Sequence, residues 1–221
     1  FVQTQLGPSD MVGMMYPLEA TASVRMTRNH DAIMRGLLQF KGRKYDYTPK
    51  NEFEDKYAYY PTEIVEKIRN QVSMSAMKSL IVHMGGLKEG RKALILVSEG
   101  YNSMLPPQMR DQIAAIQGSG NPNALDPFAG QTGSVAEDRA AFSANNDMES
   151  DLRELYDTAN RNNVAIYAVD PRGLSAGEFG IDQNISQQTD RQFLNNSLET
   201  LRTLAFNTDG RAIVNRNDLT M

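Results

Sequence analysis

Two unbroken apolar runs, Ala93-Leu-Ile-Leu-Val97 and Val164-Ala-Ile-Tyr-Ala-Val169, each end on an acidic loop: Ser98-Glu99-Gly100 after the first, Asp170-Pro171-Arg172-Gly173 after the second. Neither run alternates apolar with polar, which is the pattern of a strand covered on both faces, so both are read as inner strands of a parallel sheet. Loops leaving the carboxyl ends of such strands form the working surface of the sheet. Glu99 and Asp170 therefore stand where a ligand or partner is met.

Val12, Met14 and Met15 predict a strand over 10–16, and a second over 20–26 pairs with it as a hairpin. Thr27 reads as the N-cap of a helix over 28–40, with Ile33, Leu37, Leu38 and Phe40 as its apolar stripe. Residues 41–60, rich in tyrosine and polar groups, predict no regular element. Ile64, Val65, Ile68, Val72, Met77, Leu80, Ile81 and Met84 recur at three- and four-residue spacing, predicting a long helix opened by Pro61 and Thr62 and stopped at Gly85-Gly86. After strand 92–97, residues 101–147 read as a long connection with one short helix near 109–116. There follow a helix over 148–161, the strand 164–169, and a polar loop over 171–194. A helix carrying Leu198, Leu201, Leu204 and Ala205 is closed by Gly210 and leads to a last strand over 212–214. The alternation after residue 60 predicts right-handed crossovers in an α/β fold: a mostly parallel sheet with helices on both faces. The whole chain, 1–221, reads as a single domain with insertions at about 41–60 and 101–147.

Composition narrows the function without naming it. A net charge of −4 and a single basic cluster, Lys41, Arg43, Lys44 and Lys50, argue against nucleic acid. That cluster is answered by Glu52, Glu54 and Asp55 and reads as a solvated loop of mixed charge. No apolar run is long enough to cross a bilayer. The absence of cysteine removes thiolate metal sites and thiol nucleophiles. The chain opens at Phe1 without a signal-like start and is read as an internal piece of a longer protein.

Three motifs in order carry a resemblance: Gly90-Arg-Lys-Ala-Leu-Ile-Leu-Val-Ser-Glu-Gly100, Ala159-Asn-Arg-Asn-Asn-Val-Ala-Ile-Tyr-Ala-Val-Asp-Pro-Arg-Gly-Leu174, and Leu201-Arg-Thr-Leu-Ala-Phe-Asn-Thr-Asp-Gly-Arg-Ala212. Together they resemble von Willebrand factor type A (VWA) domains, nearest to the "VWFA-related" group abundant in acidobacteria. Pro8 to Met15 resembles that fold's second strand, and Asn215-Arg-Asn-Asp-Leu219 the lead-in to its last helix. The resemblance implies a Rossmann-like, three-layer fold and a periplasmic or extracellular parent protein. It also implies that the central first strand, bearing Asp-x-Ser-x-Ser, precedes this chain. Neighbours of a missing strand are left with unpaired amides, so the parent protein or another chain is expected to supply it.

The same resemblance frames the metal question. Family members that bind magnesium combine Asp-x-Ser-x-Ser with a Ser or Thr and an Asp, and here Glu99 stands in the place of that Asp. Ser73 or Thr62 is the candidate hydroxyl ligand. The set is read as degenerate, with no cofactor expected and magnesium only if the upstream motif is present. His30 and His83 have no companion ligands and read as surface or packing residues. The expectation is a non-enzymatic module that binds a protein partner through Ser98, Glu99, Tyr101, Asn102, Asp170 and Arg172, assisted by the tyrosine-rich segment. An alternative is a Rossmann-like, metal-dependent hydrolase using Glu99 and Asp170 as acid and base, against which Arg172 is read as a simple ion partner of Asp170.

Overall fold

The structure, a computed structural model, describes residues 6–17, 21, 24–87, 90–110 and 135–217, side chains of 135–142 and 181 excepted. Helices α1 (His30–Gln39), α2 (Glu52–Asp55) and α3 (Thr62–Leu87) precede strand β1 (Lys92–Val97). Helix α4 (Val135–Arg161), strand β2 (Val164–Val169), helix α5 (Gln187–Phe206) and strand β3 (Ala212–Ile213) follow. The strands form one parallel sheet in the order β1-β2-β3, with Lys92 opposite Val164, Val97 opposite Val169, and Ala168 opposite Ala212.

Strand periodicity assigns the faces. Leu94, Leu96, Val164 and Ile166 pack in one cluster with Met74, Met77 and Ile81 of α3, Leu152, Leu155 and Ala159 of α4, and Leu204 of α5. Ala168 and Ala212 pack on the same side against Leu201 and Ala205 of α5. All three long helices thus cover one face. Topology explains this for α4 and α5: when successive strands step in one direction, right-handed crossovers deliver the connecting helices to the same side. The expected helices on both faces are therefore not found among the described residues. On the open face Ile95 and Val97 are 43% and 44% exposed, whereas Ile166 and Ala168 are sealed at 0%. Among the described residues no strand pairs with the outer edge of β1.

Local differences from the expected elements have local causes. The predicted hairpin reduces to one antiparallel bridge, Val12 with Thr27, closed by two hydrogen bonds of 2.9 Å; part of 20–26 lies outside the described residues. Asn29, not Thr27, caps α1: its side chain accepts from Ala32 N, while Thr27 Oγ1 accepts from Asn29 N one step earlier. The apolar stripe of α1 finds no core, and Leu38 is 81% exposed. Residues 52–55 make a short helix where none is predicted, because Asn51 caps the Glu54 amide. Helix α3 runs through Gly85-Gly86 to Leu87, and Gly85 is needed where Asn162 presses on it. Helix α4 begins at Val135 instead of Met148, and α5 at Gln187 under a Ser186 cap, shortening both predicted loops. The helix expected near 109–116 is a 3-10 turn at Pro107–Met109, and its remainder lies outside the described residues.

Candidate functional site

The carboxyl edge of the sheet holds a closed network of charges. Asp170 leaves β2 with its carboxylate buried, and Arg172 folds back on it, Nε and Nη2 each 3.0 Å from a different carboxylate oxygen. The same guanidinium donates from Nη2 to the Glu99 carbonyl oxygen at 2.9 Å and pairs through Nη1 with Glu178. Glu178 is wholly buried and also meets Lys44 and the Tyr45 hydroxyl, the latter at 2.8 Å. Two carboxylates and two cations therefore balance inside the edge, which is what burial of charge requires. The loop bearing Glu178 is fixed by Asp190 of α5, whose carboxylate accepts from the Glu178 and Phe179 amides. Phe179 lies between Tyr45 and Phe193, its ring centroid 5.4 Å from the first in a tilted contact and 5.6 Å from the second edge to face.

A second layer joins the 41–60 segment to α3. Arg43 pairs with Glu54 at 2.6 Å, and Glu54 is 1% exposed. Tyr47 donates to Glu66 at 3.1 Å, and the Arg69 guanidinium lies 5.1 Å from the Tyr47 ring centroid. The segment is thus packed onto the edge. The reading of its basic cluster as a solvated loop is corrected: Lys44 reaches Glu178, far along the chain, and Arg43 takes Glu54, which Arg69 of α3 also approaches at 3.7 Å.

These environments act in opposite directions on stability. The Arg43 hydrogen bond holds the Glu54 carboxyl below its ordinary range, while burial pushes Glu66 above its own. A depressed carboxyl stabilises the fold above its unfolded value and loses that contribution as pH falls through the folded value. A raised one does the reverse: Glu66 opposes folding increasingly as pH rises through its folded value. Glu66→Gln, which keeps an acceptor for Tyr47, should therefore raise the melting temperature at pH 7 and have a smaller effect at pH 4. Melts at both values check it, and an equal shift would exclude ionisation as the cause.

Of the residues expected to meet a partner, the structure brings all six to this edge but presents only some. Tyr101, Asn102 and Asp170 are buried, while Ser98, Glu99 and Arg172 are part-exposed. Tyr101 places its hydroxyl 2.9 Å from Ser73 Oγ, and burial pushes that phenol up. Asn102 donates to Ser197 Oγ of α5, and its carbonyl accepts from Asn70 of α3 at 3.0 Å. Ser73 is therefore committed to Tyr101, and Thr62 stands at the first residue of α3. Among the described residues no cluster of three or more His, Asp or Glu side chains is shaped to hold a metal. The pairing of Arg172 with Asp170 is found as expected.

Sequence reading missed Lys44, Glu178 and Ser197. Glu178 sits in a loop between glycines, with no periodicity to mark it; the one available signal was an isolated acid beside Phe179. The tyrosines of the segment divide: Tyr45, Tyr47 and Tyr57 pack inward, while Tyr59 is 95% and Tyr60 54% exposed. Phe53 and Ile64 join them at 48% and 40%, making an apolar rim at the α2–α3 corner. An open cleft at the opposite, amino edge is lined, among the described residues, by Gly85, Gly86, Gly90, Lys92, Arg161, Asn162 and Asn163. No protein-family model, curated protein or solved structure matches this chain.

Proposed function

We propose that this chain is a VWA-like, non-enzymatic interaction module that binds a protein partner at the carboxyl edge of its sheet, within an exported parent protein. One observation carries the reading: the charges of the edge neutralise one another, while Phe53, Tyr59, Tyr60 and Ile64 stand exposed at the α2–α3 corner. Aromatic side chains with polar tips bury large area at small entropic cost and anchor protein contacts. The acid–base alternative gains no support, since both oxygens of Asp170 are engaged by Arg172. Magnesium fits poorly as well. Arg172 and Lys44 both donate to the Glu99 main-chain oxygen, so cations of the chain itself crowd the place a divalent ion would need.

We further propose that the outer edge of β1 and the open face around Ile95 and Val97 receive a strand and cover supplied by the parent protein or another chain. An unbroken apolar run with half its residues in solvent, beside a row of amides unpaired among the described residues, is a surface suited to such an addition.

The test is direct. The chain is immobilised and exposed to extract from the source cells. A bound protein retained by wild type and by Arg161→Ala at the amino edge, but lost with Tyr60→Asp or Glu99→Arg, supports the reading. Metal-dependent turnover of a hydrolase substrate, abolished by Glu99→Ala or Asp170→Ala, would overturn it.

A further inference from the structure

We infer that the carboxyl edge contains a binding site for a primary ammonium group, filled in cis by Lys44 of segment 41–60. An ammonium has three N–H donors, and three oxygens face Lys44 Nζ. Glu178 pairs with it, and the Glu99 carbonyl and Ser197 Oγ each lie at 3.4 Å. The Tyr45 ring forms a wall, its centroid 5.4 Å away, supplying the aromatic face that ammonium sites use. Only 16% of the Lys44 side chain is exposed.

Each oxygen is held by something other than Lys44. Arg172 and Tyr45 fix Glu178, Arg172 fixes the Glu99 carbonyl, and Asn102 fixes Ser197. The cage is thus preorganised and outlasts removal of its occupant. Its charge points to the same ligand class. Arg172 offsets one of the two carboxylates it touches, leaving one negative charge for a monovalent cation. One carboxylate, already shared with Arg172 and Tyr45, together with a carbonyl and a hydroxyl is a poor octahedral set for magnesium. This inference stands whether or not the edge binds a protein.

Thermal unfolding of Lys44→Ala in salts of matched ionic strength tests it. The variant should melt below wild type, and propylammonium chloride should restore several degrees relative to sodium chloride. Tetramethylammonium, which has no N–H, should not restore it. Neither wild type nor the Lys44→Ala/Glu178→Gln double variant should respond to propylammonium. Equal responses of wild type and Lys44→Ala, or restoration by tetramethylammonium or magnesium instead, would overturn the inference. Should Lys44→Ala not fold, reductive methylation of the unaltered chain decides: Lys44 should react several-fold more slowly than half-exposed Lys50 and Lys67. Methylation at the same rate as those lysines would overturn it.

Discussion

Replacing Arg172 with leucine should destabilise the fold by about 3–5 kcal/mol, the scale for removing one partner of a buried ion pair. The side chains left behind, Asp170 and Glu178, are 1% and 0% exposed, so water cannot replace the guanidinium. The Glu99 carbonyl also loses a 2.9 Å donor. For a chain of this size each kcal/mol moves the melting temperature roughly 2–4 °C, giving a fall of about 6–20 °C. The pH dependence identifies the cause. Burial penalises a carboxylate that has lost its cation far more than it penalises the neutral acid, so the deficit should be largest at neutral pH and smaller in acid. Arg172→Lys should recover only part of the loss, because one ammonium cannot fork across two carboxylates and a carbonyl. Arg202→Leu, which breaks an exposed pair with Glu199, is the control and should change stability by less than about 1 kcal/mol. Denaturant melts at pH 7 and pH 4 measure all three. A deficit that stays constant with pH would assign the loss to packing instead.

What the sequence revealed follows the range of the forces involved. The strands over 92–97 and 164–169 were legible to the residue, since an unbroken apolar run bounded by turns is a local signal. Helix α3 was legible because apolar residues recur along it at three- and four-residue spacing, and Met77 and Ile81 of that series are buried, although buried Met74 was not among the predicted positions. Asp170 was legible because it interrupts such a run. The pairing of Lys44 with Glu178 was not. Lys44 and Glu178 lie on different loops, and nothing in either neighbourhood distinguishes a buried lysine or glutamate from a solvated one. The start of α4 was hidden because Val135 to Asn146 offers helix-forming residues without an apolar stripe.

Pattern also misled in an instructive way. The stripe of α1 and the outward half of β1 are apolar, yet Leu38, Ile95 and Val97 stand in solvent. Sequence reports what a surface is suited to meet, not whether the partner belongs to the same residues. Ile95 and Val97 keep 43% and 44% of their surface in solvent, so covering them completely would contribute roughly 0.6–1.3 kcal/mol each, which is part of the driving force behind the proposed strand addition.

Gly100→Ala should be the most damaging small substitution at the edge, with a loss of at least about 3 kcal/mol. Gly100 holds φ at +84°, where an L side chain is strained by roughly 1–2 kcal/mol. A Cβ there would also lie closer to the Ser197 carbonyl oxygen than any real Cβ lies to such an atom, and the obstacle is main chain in mid-α5. No rotamer change relieves it, so either the Ser98–Gly100 turn or the helix must shift. Ser197 then moves relative to Asn102 and Lys44, and the damage spreads from β1 into the ammonium cage. Gly86→Ala is the matched control: its Cβ meets nothing, its φ is helical, and it should be neutral or stabilising by about 0.5–1 kcal/mol. Urea midpoints of the two variants measure the contrast. A loss below about 1 kcal/mol for Gly100→Ala would mean that the turn can part from α5 without cost, and that the close backbone approach does not hold the edge together.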